Sequence, residues 1–464
     1  MILRQKALPY LSAIALVAIT TTISPGTGCR RRDALPQRIA TRQQVVSWIR
    51  KNAIPLKTVR AESGFEDMRP LRSTIGSARL VAMGEATHGT KEFFQLKHRM
   101  FEFLVEQMGF TVFGIEASWP ESLAINDYVV NGTGDPVIAL AGLHFWTSNT
   151  EEVLAMIRWM RRYNERSEHK RKVKFYGFDM QFPWAAADGA LKYLETVDPA
   201  YARKSAGALA ALARTPGRNG ESSDLKTVAQ ACGAIRGSAE ELEARILAER
   251  ELYTRRSSEH DWLLARRHAQ ILREGVEVFL AFQEGNPGVR DRFMAENVQW
   301  IAGDEGPATR MMIWAQNDHI ARVGQMMGRR LKDLLPRDFV NFGFAFGEGS
   351  FQAIDGIPAA GQSKRLASLT VGPPSPSSLD GVLASAELPL FVLDLRRADG
   401  AIADWFRSGH ETRSIGAVFP GESAMSIWVV PADRFDALVF VSRTSRAEPV
   451  RKETPASGPQ TQVR

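Results

Sequence analysis

Five apolar runs in this chain each end in an acidic, histidine or amide residue, and they lie far apart along it. Residues 79–83 lead to Glu85 and His88, 111–115 to Glu116, and 173–178 to Asp179. Residues 311–315 lead to Gln316, Asn317, Asp318 and His319, and 339–346 to Glu348. Each run has the length and β-rich content of a buried parallel strand, and the residues after each run generally read as a helix or polar loop. The expected fold is therefore α/β: a mostly parallel central sheet with flanking helices. In such sheets, side chains just past the carboxyl ends of the strands gather in one crevice, where ligands bind. Glu85, His88, Glu116, Asp179 and His319 are thus expected to meet, although they span more than 200 positions.

Around this core the chain divides by composition. Arg4 and Lys6, the apolar stretch 7–23 and the small residues before Cys29 have the order of a secretory signal, here of lipoprotein type. Export is expected, with membrane attachment only through a lipid on Cys29. Residues 30–42 read as a tether, 43–445 as one catalytic domain, and 446–464 as a polar, disordered tail. Between about 199 and 300 the strand pattern gives way to helical periodicity, which reads as an inserted lobe. Once Cys29 is set aside, only Cys232 remains, which excludes an intrachain disulfide and a cysteine-based metal site. The net charge of +7 is small for 464 residues, and no zinc-finger or RNA-binding signature accompanies the basic clusters. A nucleic-acid partner is not expected.

The chemistry concentrates in Gly84-Glu85-Ala86-Thr87-His88-Gly89-Thr90, between a strand and the amphipathic helix 91–106. Glu85 and His88, three apart on a tight turn, can face one crevice. Neutral imidazole suits proton abstraction near neutrality, and a neighbouring carboxylate fixes its tautomer. Lys97, on the following helix, is the cation placed to neutralise a carboxylate or a developing oxyanion. Glu116 is expected to hold a cationic partner. Gln316, Asn317 and Asp179 are expected to meet the substrate, with Trp119 walling an apolar cavity. The histidines at 169, 260, 268 and 410 read as solvated. No Gly-x-Ser-x-Gly elbow, phosphate-binding loop or His-Glu-x-x-His motif is present.

The segments RLVAMGEATHGTKEFFQLKHRMFEFLVEQMGFTVFGIEASWPE, INDYV, WTSNTEEVLAMIRWMRRYN, FYGFDMQ, RDRFMAENVQWI and MIWAQNDHI occur in this order. They resemble the erythromycin esterase family over about residues 43–350. The resemblance implies an α/β core with helical additions, no cofactor or metal, and hydrolysis of a macrolide lactone by histidine-activated water. It maps the family's essential histidine to His88, its acidic positions to Glu85 and Glu116, and its first-helix basic residue to Lys97. At the end of the run 311–315, Gln316 replaces the first of two family histidines, and His319 retains the second. Glutamine cannot take up a proton at neutral pH, so any proton role there is lost or moved to His319. The expected function is hydrolysis of a small-molecule carboxylic ester or lactone. Two alternatives stand beside it: a metal-dependent hydrolase using Glu85, His88, Glu116 and His319, and a surface ligand-binding protein without turnover, suggested by Gln316.

Overall fold

The computed structural model of the protein describes residues 39–215, 225–356 and 365–450. The expected signal segment, most of the tether and the last residues of the tail lie outside these. Among the described residues twelve strands appear in chain order. The first six are β1 (Ile54–Pro55), β2 (Leu80–Met83), β3 (Val112–Ser118), β4 (Lys174–Asp179), β5 (Met311–Trp314) and β6 (Phe339–Asp355). The rest are β7 (Leu366–Val371), β8 (Leu390–Asp394), β9 (His410–Arg413), β10 (Val418–Phe419), β11 (Ser426–Val429) and β12 (Ala437–Thr444).

The fold is α/β, with a central sheet in the order β1-β8-β12-β6-β2-β5-β3-β4. From β12 to β4 every neighbouring pair is parallel, while β8 runs antiparallel to β12 at one side. The four runs that end in site residues became β2, β3, β4 and β5, side by side. Their continuous apolar character follows from burial on both faces. Successive side chains of β2 point to opposite sides: Leu80 and Ala82 enter one core, Val81 and Met83 the other.

β11 pairs with β9 in a separate two-stranded sheet. Two expectations need correction. The helical insertion starts earlier than 199, with the helix Pro183–Val197, and runs to the end of the helix Gly288–Asp304. The start of the supposed tail is built into the fold. Ala447 is fully buried, and Arg446 and Pro449 form β-bridges with Thr90 and Thr150. Among the described residues no helix is long and apolar enough to cross a membrane.

Candidate active site

Gly84 and Gly89 bracket the turn after β2, and both are needed for close approach. A Cβ on Gly84 would collide with Asn317 Oδ1, and one on Gly89 with the Gln352 carbonyl oxygen. The turn is fastened from behind. Gln352 and Ala447 both donate their N–H to the Gly89 carbonyl, and Lys91 donates to that of Ser445. Ser445 N–H in turn donates to the Glu92 carboxylate at 2.7 Å. This leaves the side chains of Glu85 and His88 facing the sheet's carboxyl edge.

Glu85 Oε1 accepts from His88 Nδ1 at 2.6 Å. A carboxylate only accepts, so Nδ1 carries the proton and Nε2 keeps its lone pair when the ring is neutral. Nε2 has no hydrogen bond to protein among the described residues. The other Glu85 oxygen, Oε2, accepts from Lys97 Nζ at 2.5 Å and from Trp314 Nε1 at 2.7 Å. Lys97 is fully buried, its ammonium 4.0 Å from the Trp314 ring centroid. Burial drives the Lys97 pKa down to about 8 against the pull of Glu85. Burial alone would raise the Glu85 pKa, but Lys97 and His88 outweigh it and hold the carboxyl below its ordinary range.

Glu116 sits where the register between β3 and β4 shifts, between Ile115 and Ser118. Such irregularities re-aim a side chain at a sheet end, and here the carboxylate meets the end of β5. Glu116 Oε2 accepts from the backbone N–H of Gln316 at 2.9 Å, and Oε1 from Arg290 Nη2 at 2.8 Å. Arg290 also grips Asp179 in two places, at 2.6 and 3.2 Å. His319 Nδ1 donates to Asp291 Oδ1 at 2.9 Å, and the same oxygen accepts from the Met327 N–H at 2.8 Å. Burial disfavours a charged His319, yet the carboxylates of Asp291 and Glu116 prevail and push its pKa up to about 10. In that cationic form Nε2–H belongs to Glu116 Oε1, 3.3 Å away. The 3.0 Å approach of Arg290 Nη1 to Nε2 is a hydrogen bond only when the ring is neutral. Glu116, for which burial is likewise opposed by His319 and Arg290, lies well below its ordinary pKa.

A cavity of about 420 Å³ opens over these groups, with Glu85, His88, Glu116, Arg290, Gln316 and His319 on its charged and polar side. Phe145, Trp146, Phe282 and Met326 supply apolar walls. Five of the expected site residues, Glu85, His88, Glu116, Gln316 and His319, therefore share one chamber. Lys97 and Asp179 do not line it; they stand behind Glu85 and Arg290. Two others are displaced. Trp119 does not wall the cavity: it is buried edge-on between His268 and Trp300, at 5.2 and 5.6 Å, because the start of its helix turns it into the core. Asn317 does not meet the cavity either, since its side-chain amide clamps the Phe344 backbone at 2.8 and 2.9 Å.

Sequence reasoning missed Arg290 and Asp291, which enter from the first turn of the helix Gly288–Asp304. The signal was an Arg-Asp pair opening the RDRFMAENVQWI segment. Two histidines read as solvated are not: His268 is half-buried and His410 is buried. Burial drives the His268 pKa down to about 4, and His410 packs on Trp405 with ring centroids 3.8 Å apart. Glu348 pairs with Arg443 at 3.1 Å and stays out of the cavity. Among the described residues no three His, Cys, Asp or Glu side chains are grouped to hold a metal ion. The donor atoms of Glu85 and Glu116 already bind Lys97, Trp314, Arg290 and backbone, so the four residues do not form a ligand set.

The family model of erythromycin esterase matches residues 105–444, well over half of the chain. This chain belongs to the erythromycin esterase family. At that level it stands among the ester hydrolases. Glu85, His88 and Lys97 lie before the matched span. Erythromycin esterase type II of Escherichia coli is 24% identical over 344 residues, covering 66% of this chain and 78% of that protein. A crystal structure of a Bacillus cereus protein matches with a TM-score of 0.76 at 22% identity, over 89% of this chain and all of that one. A mutant erythromycin esterase in its open conformation matches at 0.63 and 16% identity, over 84% and 96% of the two chains. At these identities the two structures speak to the fold alone.

Proposed function

We propose that the protein hydrolyses a carboxylic ester or lactone, with His88 as the base that activates water. The observation that carries this reading is the Glu85–His88 pair, whose 2.6 Å bond fixes the tautomer and leaves Nε2 for a water in the cavity. Water gives its proton to Nε2 as its oxygen attacks the carbonyl carbon, and Glu85 steadies the resulting imidazolium. The tetrahedral intermediate then collapses, the C–O bond to the leaving group breaks, and the alkoxide takes the proton back from His88. The Gln316 side-chain amide, on the cavity wall, is the donor available to the oxyanion, with the His319 imidazolium, held by Asp291 and Glu116, adding positive charge beside it. Lys97 acts at one remove, as a positioning residue for Glu85.

The test is turnover of aryl esters and lactones by His88→Asn, whose amide retains a donor toward Glu85 but offers no base. Wild-type rates in that variant would remove His88 from the reaction. Export, supported by the signal-like residues 1–29, is a separate proposal; recovery of the native protein only from the cytoplasmic fraction would refute it.

A further inference from the structure

Building on the hydrolytic reading above, we propose that the cavity takes a compact, uncharged ester or lactone and rejects both anionic esters and intact glycosylated macrolides. Size is the first ground. At about 30 Å³ per liquid water, about 420 Å³ is the room of about fourteen waters. It falls toward the small end of the range for drug-sized ligands, about 300–1,000 Å³. A fourteen-membered lactone bearing two sugars has several times as many non-hydrogen atoms.

The walls supply the second ground, because they are anchored on both sides. Phe145 packs on Phe182 with centroids 4.9 Å apart, and Phe182 packs on Trp184 at 6.0 Å. Also on the wall, Phe282 and Pro287 flank the turn between two lobe helices, the second of which is tied to the sheet through Arg290. Widening the cavity would mean breaking aromatic packing on one side or a buried ion pair on the other.

Charge is the third ground. Among the described residues Arg290 is the only arginine or lysine lining the cavity, and its guanidinium is occupied by Asp179 and Glu116. Glu85, Glu116, Asp291 and Asp318 also face this space. The other cation on the wall, the His319 imidazolium, is held by Asp291 and Glu116, so a substrate carboxylate would meet carboxylates and no free cation. The groups left to recognise a substrate are neutral: the Gln316 amide, which makes no side-chain hydrogen bond among the described residues, the Gln181 carbonyl oxygen and the Thr147 hydroxyl.

The experiment compares kcat/KM of the wild-type protein on three substrate sets. The first is neutral short-chain aryl esters and medium-ring lactones. The second is the same aryl esters carrying a terminal carboxylate, and the third is a fourteen-membered glycosylated macrolide. The carboxylate should lower kcat/KM by about a hundredfold or more, the scale of an unpaired like-charge contact. The macrolide should fall below about a hundredth of the best neutral ester, as a steric clash dictates. Trp146→Ala, which removes one wall, should raise the macrolide value relative to the neutral esters. Macrolide or carboxylate-ester turnover equal to that of the neutral set overturns the inference and leaves the hydrolase standing. No turnover of any set by folded protein overturns the hydrolase reading, and this inference with it.

Discussion

Two histidine–carboxylate pairs face the same cavity, Glu85–His88 and Asp291–His319, and they differ in what surrounds the second ring nitrogen. His88 Nε2 has no protein partner among the described residues, whereas His319 Nε2 lies within 3.3 Å of Glu116 and 3.0 Å of Arg290. The first pair comes from one short turn and is backed by Lys97 on the adjoining helix. The second is assembled from β3, β4, the end of β5 and a lobe helix, with Arg290 reaching partners 111 and 174 positions away. An unused nitrogen is free to do chemistry; one enclosed by charges holds a framework together. On that argument the two halves should fail in opposite ways when broken.

The widest separation is expected from His88→Asn. It should cut kcat/KM by about a hundred- to ten-thousandfold, the usual contribution of a general base, with urea unfolding almost unmoved. Arg290→Met should do the reverse to stability. It strands Asp179 and Glu116 as buried carboxylates, which costs about 3–5 kcal/mol when one partner of such a pair is removed. A variant that unfolds like wild type but has lost turnover would erase the distinction between the halves.

A pH series sharpens it further. The His319 pKa is raised in the folded protein from 6.5 to about 10, so its contribution is fully present below pH 6.5. That contribution drains away as pH climbs through about 10. His319→Asn should flatten the decline of unfolding free energy across that window; an unchanged slope would show that the ring is not charged there. The smallest effect is a displaced limb. Lys97 loses its proton near pH 8, and Glu85 then loses its cation, so kcat/KM should drop above that value. Lys97→Arg, whose guanidinium stays charged, should carry the drop to higher pH.

The first half of the site was readable from the chain and the second only in part, for a physical reason. Glu85 and His88 share a turn of seven residues, so spacing and strand context suffice to bring them together. Glu116 and His319 were reachable because each ends an apolar strand, and parallel sheets align such ends. Arg290 and Asp291 end no strand. They open a helix, where an Arg-Asp pair reads as solvated surface, and only the packing of the lobe against the sheet turns them inward. Trp119 shows the opposite error. A tryptophan after a strand looked like a cavity wall, but the first turn of its helix points it among His268, Arg267 and Trp300. The sheet itself followed from continuous apolar runs, while the polar β9 pairs with β11 in a ribbon of its own.

Ser445, whose N–H reaches Glu92 across 353 positions, and Ala447, which hooks Gly89, give the reactive turn a late-arriving brace. During synthesis the ribosome completes almost the whole domain before the residues that lock this loop emerge. The turn that carries Glu85 and His88 therefore stays unfastened until nearly the last described segment is made. A chain ending just before 445 would keep every strand of the main sheet and lose the clasp on the turn that carries Glu85 and His88.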